Sequence, residues 1–184
     1  MSNIKFREIP LSLKRYSIFI MLTYSFLMTE YVRELSNIMI CSGMIPVSYG
    51  IQTYIYVICV VVFLLFFAMW AVESFLFHVF SLLLGGKGNF GELLSTTGFL
   101  HVIPLFGTFI SLMRLTNIDA VEYSLVTDYI NQQVYINNVL MGIFYCAIAV
   151  TIYYIYHIKW YYSLISVFFP LGIIYGISQL VSLL

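Results

Sequence analysis

The chain has 184 residues, 62% hydrophobic and only 9% charged, and its eight basic and eight acidic side chains cancel to a formal charge of zero. Soluble domains carry about a quarter charged residues, so this composition excludes a water-soluble monomer and leaves room for about four to six membrane spans of about 20 residues each. Without a basic excess to neutralise phosphates, nucleic acid is not an expected partner.

Residues 1–15 read as a short basic cytoplasmic arm, with Lys5, Arg7, Lys14 and Arg15 against Glu8. Pro10 opposes a continuous helix through it. The apolar segment 16–29 follows. A basic start before a short apolar run resembles a signal peptide, yet no small-x-small cleavage site follows. Ile40 before Cys41 is too bulky for a lipoprotein site, so 16–29 is expected to be an uncleaved first span. Glu30, Arg33 and Glu34 stand at helical spacing, which lets Arg33 pair with a carboxylate on one face. For residues 31–50 two readings stay open, an outside loop or a longer helix leaning through the interface.

Residues 51–84 contain neither proline nor glycine. At about 1.5 Å per residue this block is nearly twice what one crossing needs. The expected division is a crossing over 51–71, then a continuation along the inner interface to Leu84, with Glu73 near the headgroups. Gly85, Gly86, Lys87 and Gly88 come next. Glycine ends helices cheaply, so the stretch reads as a hinge with Lys87 in the headgroup layer.

Gly91–Gly98 is expected to be a short interfacial helix. His101 and Pro104 open a third span, 99–115, ending at Arg114. Residues 116–137 read as a polar loop carrying Asp119, Glu122 and Asp128. The fourth span is 138–157, His157-Ile158-Lys159-Trp160 turns the chain, and the fifth, 161–183, contains Pro170, Gly172 and Gly176. The fold class is therefore an all-α integral membrane protein of about five transmembrane helices, one domain over 16–184. Five spans gather residues 1–15, the hinge and Lys159 on one side, together six of the eight Lys/Arg residues. The positive-inside rule then puts the N-terminus in the cytoplasm and the C-terminus outside.

Candidate chemistry is sparse. Glu73, His78 and His101 form a possible inner-leaflet polar site. Glu73 and His78 are five residues apart and face about 140° away from each other on one helix, so a metal would need His101 from the next span. No paired span aspartates, His-Glu-x-x-His or Glu-Glu-x-x-x-Arg pattern is present, and no span contains an aspartate, so no enzyme and no cofactor are expected. Gly85-Gly86-Lys87-Gly88 lacks the Ser/Thr after lysine that a phosphate-binding loop requires; the alternatives are a bare hinge or an anionic headgroup site on Lys87 and free backbone N–H groups. Cys41, Cys59 and Cys146 read as small apolar core residues. Small residues at Gly142, Ala147, Ala149 and at Gly172-x-x-x-Gly176 suit close helix packing.

The helix carrying His78, the run Leu82-Leu83-Leu84-Gly85-Gly86-Lys87-Gly88-Asn89-Phe90, the short helix Gly91–Gly98, Pro104, and the last two spans with Lys159 and Pro170 together resemble the YIP-domain family of small polytopic membrane proteins. The resemblance covers about residues 16–184 and is most specific from Glu73 to Pro104. Eukaryotic members carry a long cytoplasmic N-terminal region and associate with Rab-type GTPases; only about 15 residues precede the first apolar segment here. The polar stretch 116–137 is also longer than the family pattern.

Some prokaryotic members sit beside ABC-type exporters acting on antimicrobial peptides, and the Ile/Tyr/Phe/Asn bias suits a low-GC bacterium. The resemblance thus implies a prokaryotic-type member in the bacterial cytoplasmic membrane. Its expected role is that of a non-catalytic accessory subunit of a complex such as an ABC-type exporter of peptides or toxins, with membrane lipids and an ABC permease or ATPase as partners. The alternative is a self-contained small transporter or lipid-binding protein.

Overall fold

The computed structural model describes residues 11–46, 50–117 and 123–181. Lys5, Arg7, Glu8 and Pro10 of the basic arm, and Asp119 and Glu122, lie outside the described residues. Within them the regular structure is helical: α1 (Leu11–Cys41), α2 (Ile51–Leu83), α3 (Phe90–Leu100), α4 (Val102–Leu115), α5 (Tyr123–Tyr156) and α6 (Trp160–Val181). Four stretches are long and apolar enough to cross a membrane: Thr53–Leu83, Phe90–Leu115, Val126–Tyr156 and Trp160–Ile177. The chain is a multi-pass helical protein of membrane character.

Four sequence expectations can be set against the helices. First, α1 starts at Leu11, so Lys14 and Arg15 belong to a helix rather than an arm, and of the two readings of 31–50 it takes the longer helix, continuing past Glu30 to Cys41. Ser36 donates back to the Val32 carbonyl at 2.7 Å, and Arg33 bridges Glu30 at 2.6 Å and Glu34 at 3.0 Å. Those local bonds carry the helix through the polar segment. Second, α2 runs unbroken to Leu83, as the apolar block expected to continue to Leu84 requires, and Glu73 sits about three turns before its end.

Third, the polar stretch 116–137 is mostly helix. α5 begins at Tyr123, and Asp128 falls within the apolar stretch that starts at Val126. Gln is a good helix former and Asn only a mildly poor one, and Gln133 gains Ser111 and Asn137 as partners. Fourth, the fifth span forms as α6, with Pro170 inside the helix. Pro104 does act as expected. It cannot donate to the carbonyl four residues back, and the helical run breaks just there, at His101. α4 alone has 14 residues, too few for the hydrocarbon core; α3 and α4 together form the stretch of crossing length.

The helices pack into two compact units. One comprises the chain up to Phe19, Trp70–Leu100 and the chain from Phe144; the other comprises Ile20–Met69 and His101–Ile143. In the first unit small hydroxyl residues share the interior with large side chains such as Phe77, Phe144 and Tyr156. Ser17, Ser74, Ser81, Ser95, Thr97, Ser163 and Ser166 are buried in the first unit, while Phe75, Leu83, Phe169 and Tyr175 are exposed. In a bilayer the outer apolar surface costs nothing, and association rests on close packing, which small residues permit. Some of these hydroxyls bond the carbonyl of the preceding turn, as Ser81 does with Phe77 at 2.7 Å and Ser166 with Tyr162 at 2.8 Å.

The second unit is built around a polar seam. Tyr129 Oη donates to the Ser111 carbonyl at 2.8 Å, and Gln133 Nε2 donates to Ser111 Oγ and, at 3.2 Å, to Asn137 Oδ1. Thr108 Oγ1 bonds the Pro104 carbonyl at 3.0 Å and Met28 Sδ at 3.2 Å. Gly107 faces Leu140 so closely that an added Cβ would overlap the leucine Cδ1. Because that methyl ends a flexible side chain, Gly107→Ala is expected to destabilise by only about 1 kcal/mol. Leu140→Ala in the same chain should remove most of the penalty; a double-mutant cycle on thermal unfolding in detergent reads it, and additivity would refute the contact.

Candidate functional site

The glycine-rich turn, α2 and the end of α5 meet in the first unit around Tyr156. Its ring is 1% exposed. A Cβ at Gly86 would lie 2.9 Å from Tyr156 Cβ and Cδ1, and one at Gly88 would lie 2.7 Å from Tyr156 Cγ. Gly88 is therefore required by the aromatic ring seated on it, and Gly86 by that side chain together with the Ser81 carbonyl, 2.7 Å from an added Cβ. Gly85 has a different reason: its φ of +87° is left-handed, with open space around it.

Three backbone N–H groups of this turn are engaged within the unit. Gly85 N donates to Leu82 O at 3.0 Å, Gly86 N to Ser81 O at 2.9 Å, and Lys87 N to Tyr156 O at 3.2 Å. The Gly85 and Gly86 N–H groups thereby close the C-terminal end of α2, where helix carbonyls lack intrahelical partners. The Lys87 side chain stays exposed. Asn89 begins α3, accepting the Gly91 N–H on its side-chain oxygen at 2.7 Å and the Leu93 N–H on its carbonyl at 3.2 Å.

His78 and Glu73 find separate partners on α5. His78 Nδ1 hydrogen-bonds the Tyr156 hydroxyl. Tyr145 Oη donates to Glu73 Oε1 at 3.3 Å, and the Tyr145 ring stands edge-on to Phe77 at 6.4 Å. His101, in the second unit, precedes α4 and packs its ring 5.6 Å from that of Tyr24. Among the described residues no three His, Cys, Asp or Glu side chains are grouped to hold a metal ion. Each of the three predicted polar residues has an aromatic neighbour, chiefly a tyrosine.

A second cluster in the first unit was not anticipated. Trp70 Nε1 donates to Thr97 Oγ1 at 3.2 Å, which shares a 2.8 Å bond with Ser74 Oγ, and Ser17 donates to the Ser95 carbonyl. Gly98 lies beneath the Trp70 ring, where a Cβ would come within 2.9 Å of Cζ2. Beside it a cavity of about 230 Å³ is lined by Ser17, Ile18, Trp70, Gly91, Leu94 and Ser95. Neither Tyr156 nor Trp70 carries a signal in the sequence beyond being aromatic in an aromatic-rich chain.

The remaining predicted packing residues divide. Pro170 is buried, whereas Gly172 and Gly176 are exposed and have no atom within 4 Å of an added Cβ. Gly142 is likewise open, and Ala149 is buried. All three cysteines are free, but only Cys59 is buried, so the core-filler reading fails for Cys41 and Cys146.

Comparison of the chain with protein-family models, with curated proteins and with solved structures finds no match.

Proposed function

We propose that this chain is a non-catalytic membrane subunit that works by packing its helices against another membrane protein, as an accessory component of a complex such as an ABC-type exporter of peptides or toxins. The observation that supports it most is α6 beyond Pro170: every residue from Gly172 to Ile177 is exposed. Gly172 and Gly176 stand one turn apart, and a Cβ added at either meets no atom of the described residues within 4 Å. Small residues one turn apart let a second helix approach closely.

In this reading the chain crosses five times, with α1 as the first span, and belongs with the prokaryotic YIP-domain proteins it resembles. The glycine turn is the hinge that reverses it at the inner face of a bacterial cytoplasmic membrane, and the first turns of α3 lie in the headgroup layer. The N-terminus is inside and the C-terminus outside, the orientation that five spans and the positive-inside rule give to the basic residues of the N-terminal stretch, the glycine turn and Lys159.

The test is affinity purification of a tagged copy from its native membrane in mild detergent, read by mass spectrometry. Stoichiometric recovery of a permease and its ATPase is the expected result, and Gly172→Leu is expected to reduce that recovery several-fold without altering the amount of folded protein. Unchanged recovery would remove this face from the argument. A second reading, a self-contained transporter or lipid-binding protein, draws on Glu73, a carboxyl within a span-length helix. The protein would then purify alone, and Glu73→Gln would abolish its activity.

A further inference from the structure

We propose that the end of the first unit formed by the 85–89 turn and the α5–α6 turn binds the headgroup of an anionic phospholipid, with part of one acyl chain lodged in the cavity beside α3. The two turns are tied together by the bond from Lys87 N to Tyr156 O at 3.2 Å. Lys87, His157 and Lys159 therefore emerge from adjoining backbone positions, and all three are exposed. His157 holds a left-handed φ of 54°, which ends α5 abruptly. Arg15, also exposed, stands two residues before Ser17, whose hydroxyl is bonded to the Ser95 carbonyl of α3.

The charge at this end favours an anion. Among the described residues the ion pairs all belong to Arg33, and none of their carboxylates lies within ion-pair distance of Arg15, Lys87 or Lys159. Glu92 is the acid on the first turn of α3, one against three permanent cations. Trp160 is 66% exposed, and Lys159 Nζ lies 5.8 Å over the Tyr161 ring. Aromatic and basic residues in company are what the headgroup layer selects.

The cavity explains why the occupant is a lipid rather than a free phosphate. Gly91, Leu94 and Ser95 on its wall follow directly after the Lys87 turn, and Trp70 and Ile18 complete it. The polar groups of that wall are already engaged: Ser17 with the Ser95 carbonyl, and Ser95 Oγ with the Gly91 carbonyl at 2.7 Å. What remains is hydrocarbon contact. At about 230 Å³ the space is smaller than pockets for drug-sized ligands and suits a segment of a flexible chain. The site lies within one unit and does not depend on a protein partner.

The sequence holds two tryptophans, Trp70 and Trp160, so Trp160→Phe leaves Trp70 as the reporter of the cavity. The full chain carrying Trp160→Phe would be placed in phosphatidylcholine vesicles containing either bromine-labelled phosphatidylglycerol or bromine-labelled phosphatidylcholine at equal mole fraction. The phosphatidylglycerol is expected to quench Trp70 fluorescence more strongly. Lys87→Gln and Lys159→Gln are each expected to lower that preference by about fivefold, the effect of about 1 kcal/mol per basic residue at a membrane surface. Leu94→Phe, which narrows the cavity, should reduce the quenching itself. Equal quenching by the two lipids, or a preference that survives both lysine replacements, would overturn the proposal. Quenching unchanged by Leu94→Phe would remove the acyl chain from the cavity.

Discussion

Replacing Gly88 with valine is expected to destabilise the protein by about 3 kcal/mol, near the upper end for forcing extra atoms into a packed site. A Cβ there would lie 2.7 Å from Tyr156 Cγ and 2.8 Å from both Cδ atoms, well inside the 3.5–4.0 Å at which carbon pairs attract. The ring cannot step aside easily. Gly86 presses on it from the same turn, its hydroxyl is bonded to His78, and its carbonyl is held by Lys87 N. A fall of several degrees in the thermal midpoint in detergent is the measurement.

Two controls separate the causes. Gly85→Ala meets open space but must hold a φ of +87°, so it should cost about 1–2 kcal/mol through the backbone alone. Tyr156→Ala combined with Gly88→Val should recover part of the steric loss, which a purely conformational penalty would not allow. A Gly88→Val protein that melts with the wild type would show that the ring is not seated on the turn.

The second large effect belongs to Trp70. Trp70→Ala is expected to destabilise the first unit by about 3 kcal/mol, the low end of the range for removing a buried large aromatic in soluble proteins. The low end applies because a bilayer replaces water as the reference, so the loss is mainly packing and hydrogen bonding. The indole covers Gly98 and donates to Thr97 Oγ1 at 3.2 Å. Thr97 Oγ1 also contacts Ser74 Oγ at 2.8 Å and the Leu94 carbonyl at 3.0 Å. Trp70→Phe keeps most of the contact and loses the N–H, so it should cost about 1 kcal/mol. Circular dichroism melts of the two variants give the ordering. Equal midpoints for Trp70→Ala and wild type would dismiss the cluster as a structural element.

Much of the architecture is legible in the residues because the bilayer as solvent leaves few choices. An apolar run of span length must be a helix, since no other local structure satisfies its backbone there. The block from Ile51, the glycine turn after Leu83, the effect of Pro104 and the turn before Trp160 follow from that constraint and from glycine and proline chemistry. The polar stretch before Asn138 misleads for the same reason. Asn131, Gln132 and Gln133 look like loop residues only until Gln133 meets Ser111 and Asn137. The helix is stabilised there by a seam that hydropathy does not record.

What the sequence alone determines about this protein is its solvent and its segments: a helical membrane chain, where each crossing can begin, and which ionisable residues it risks inside. Those properties are local, set by composition and by the backbone rules of glycine and proline. Tertiary structure alone decides what the glycines are for and whom the polar residues meet. Gly86 and Gly88 serve a ring some seventy positions away, Glu73 and His78 go to different tyrosines, and Gly172 and Gly176 are left open. Among so many aromatic residues no local pattern marks the one that will pack, because helix pairing in a membrane is chosen by the shape of whole faces.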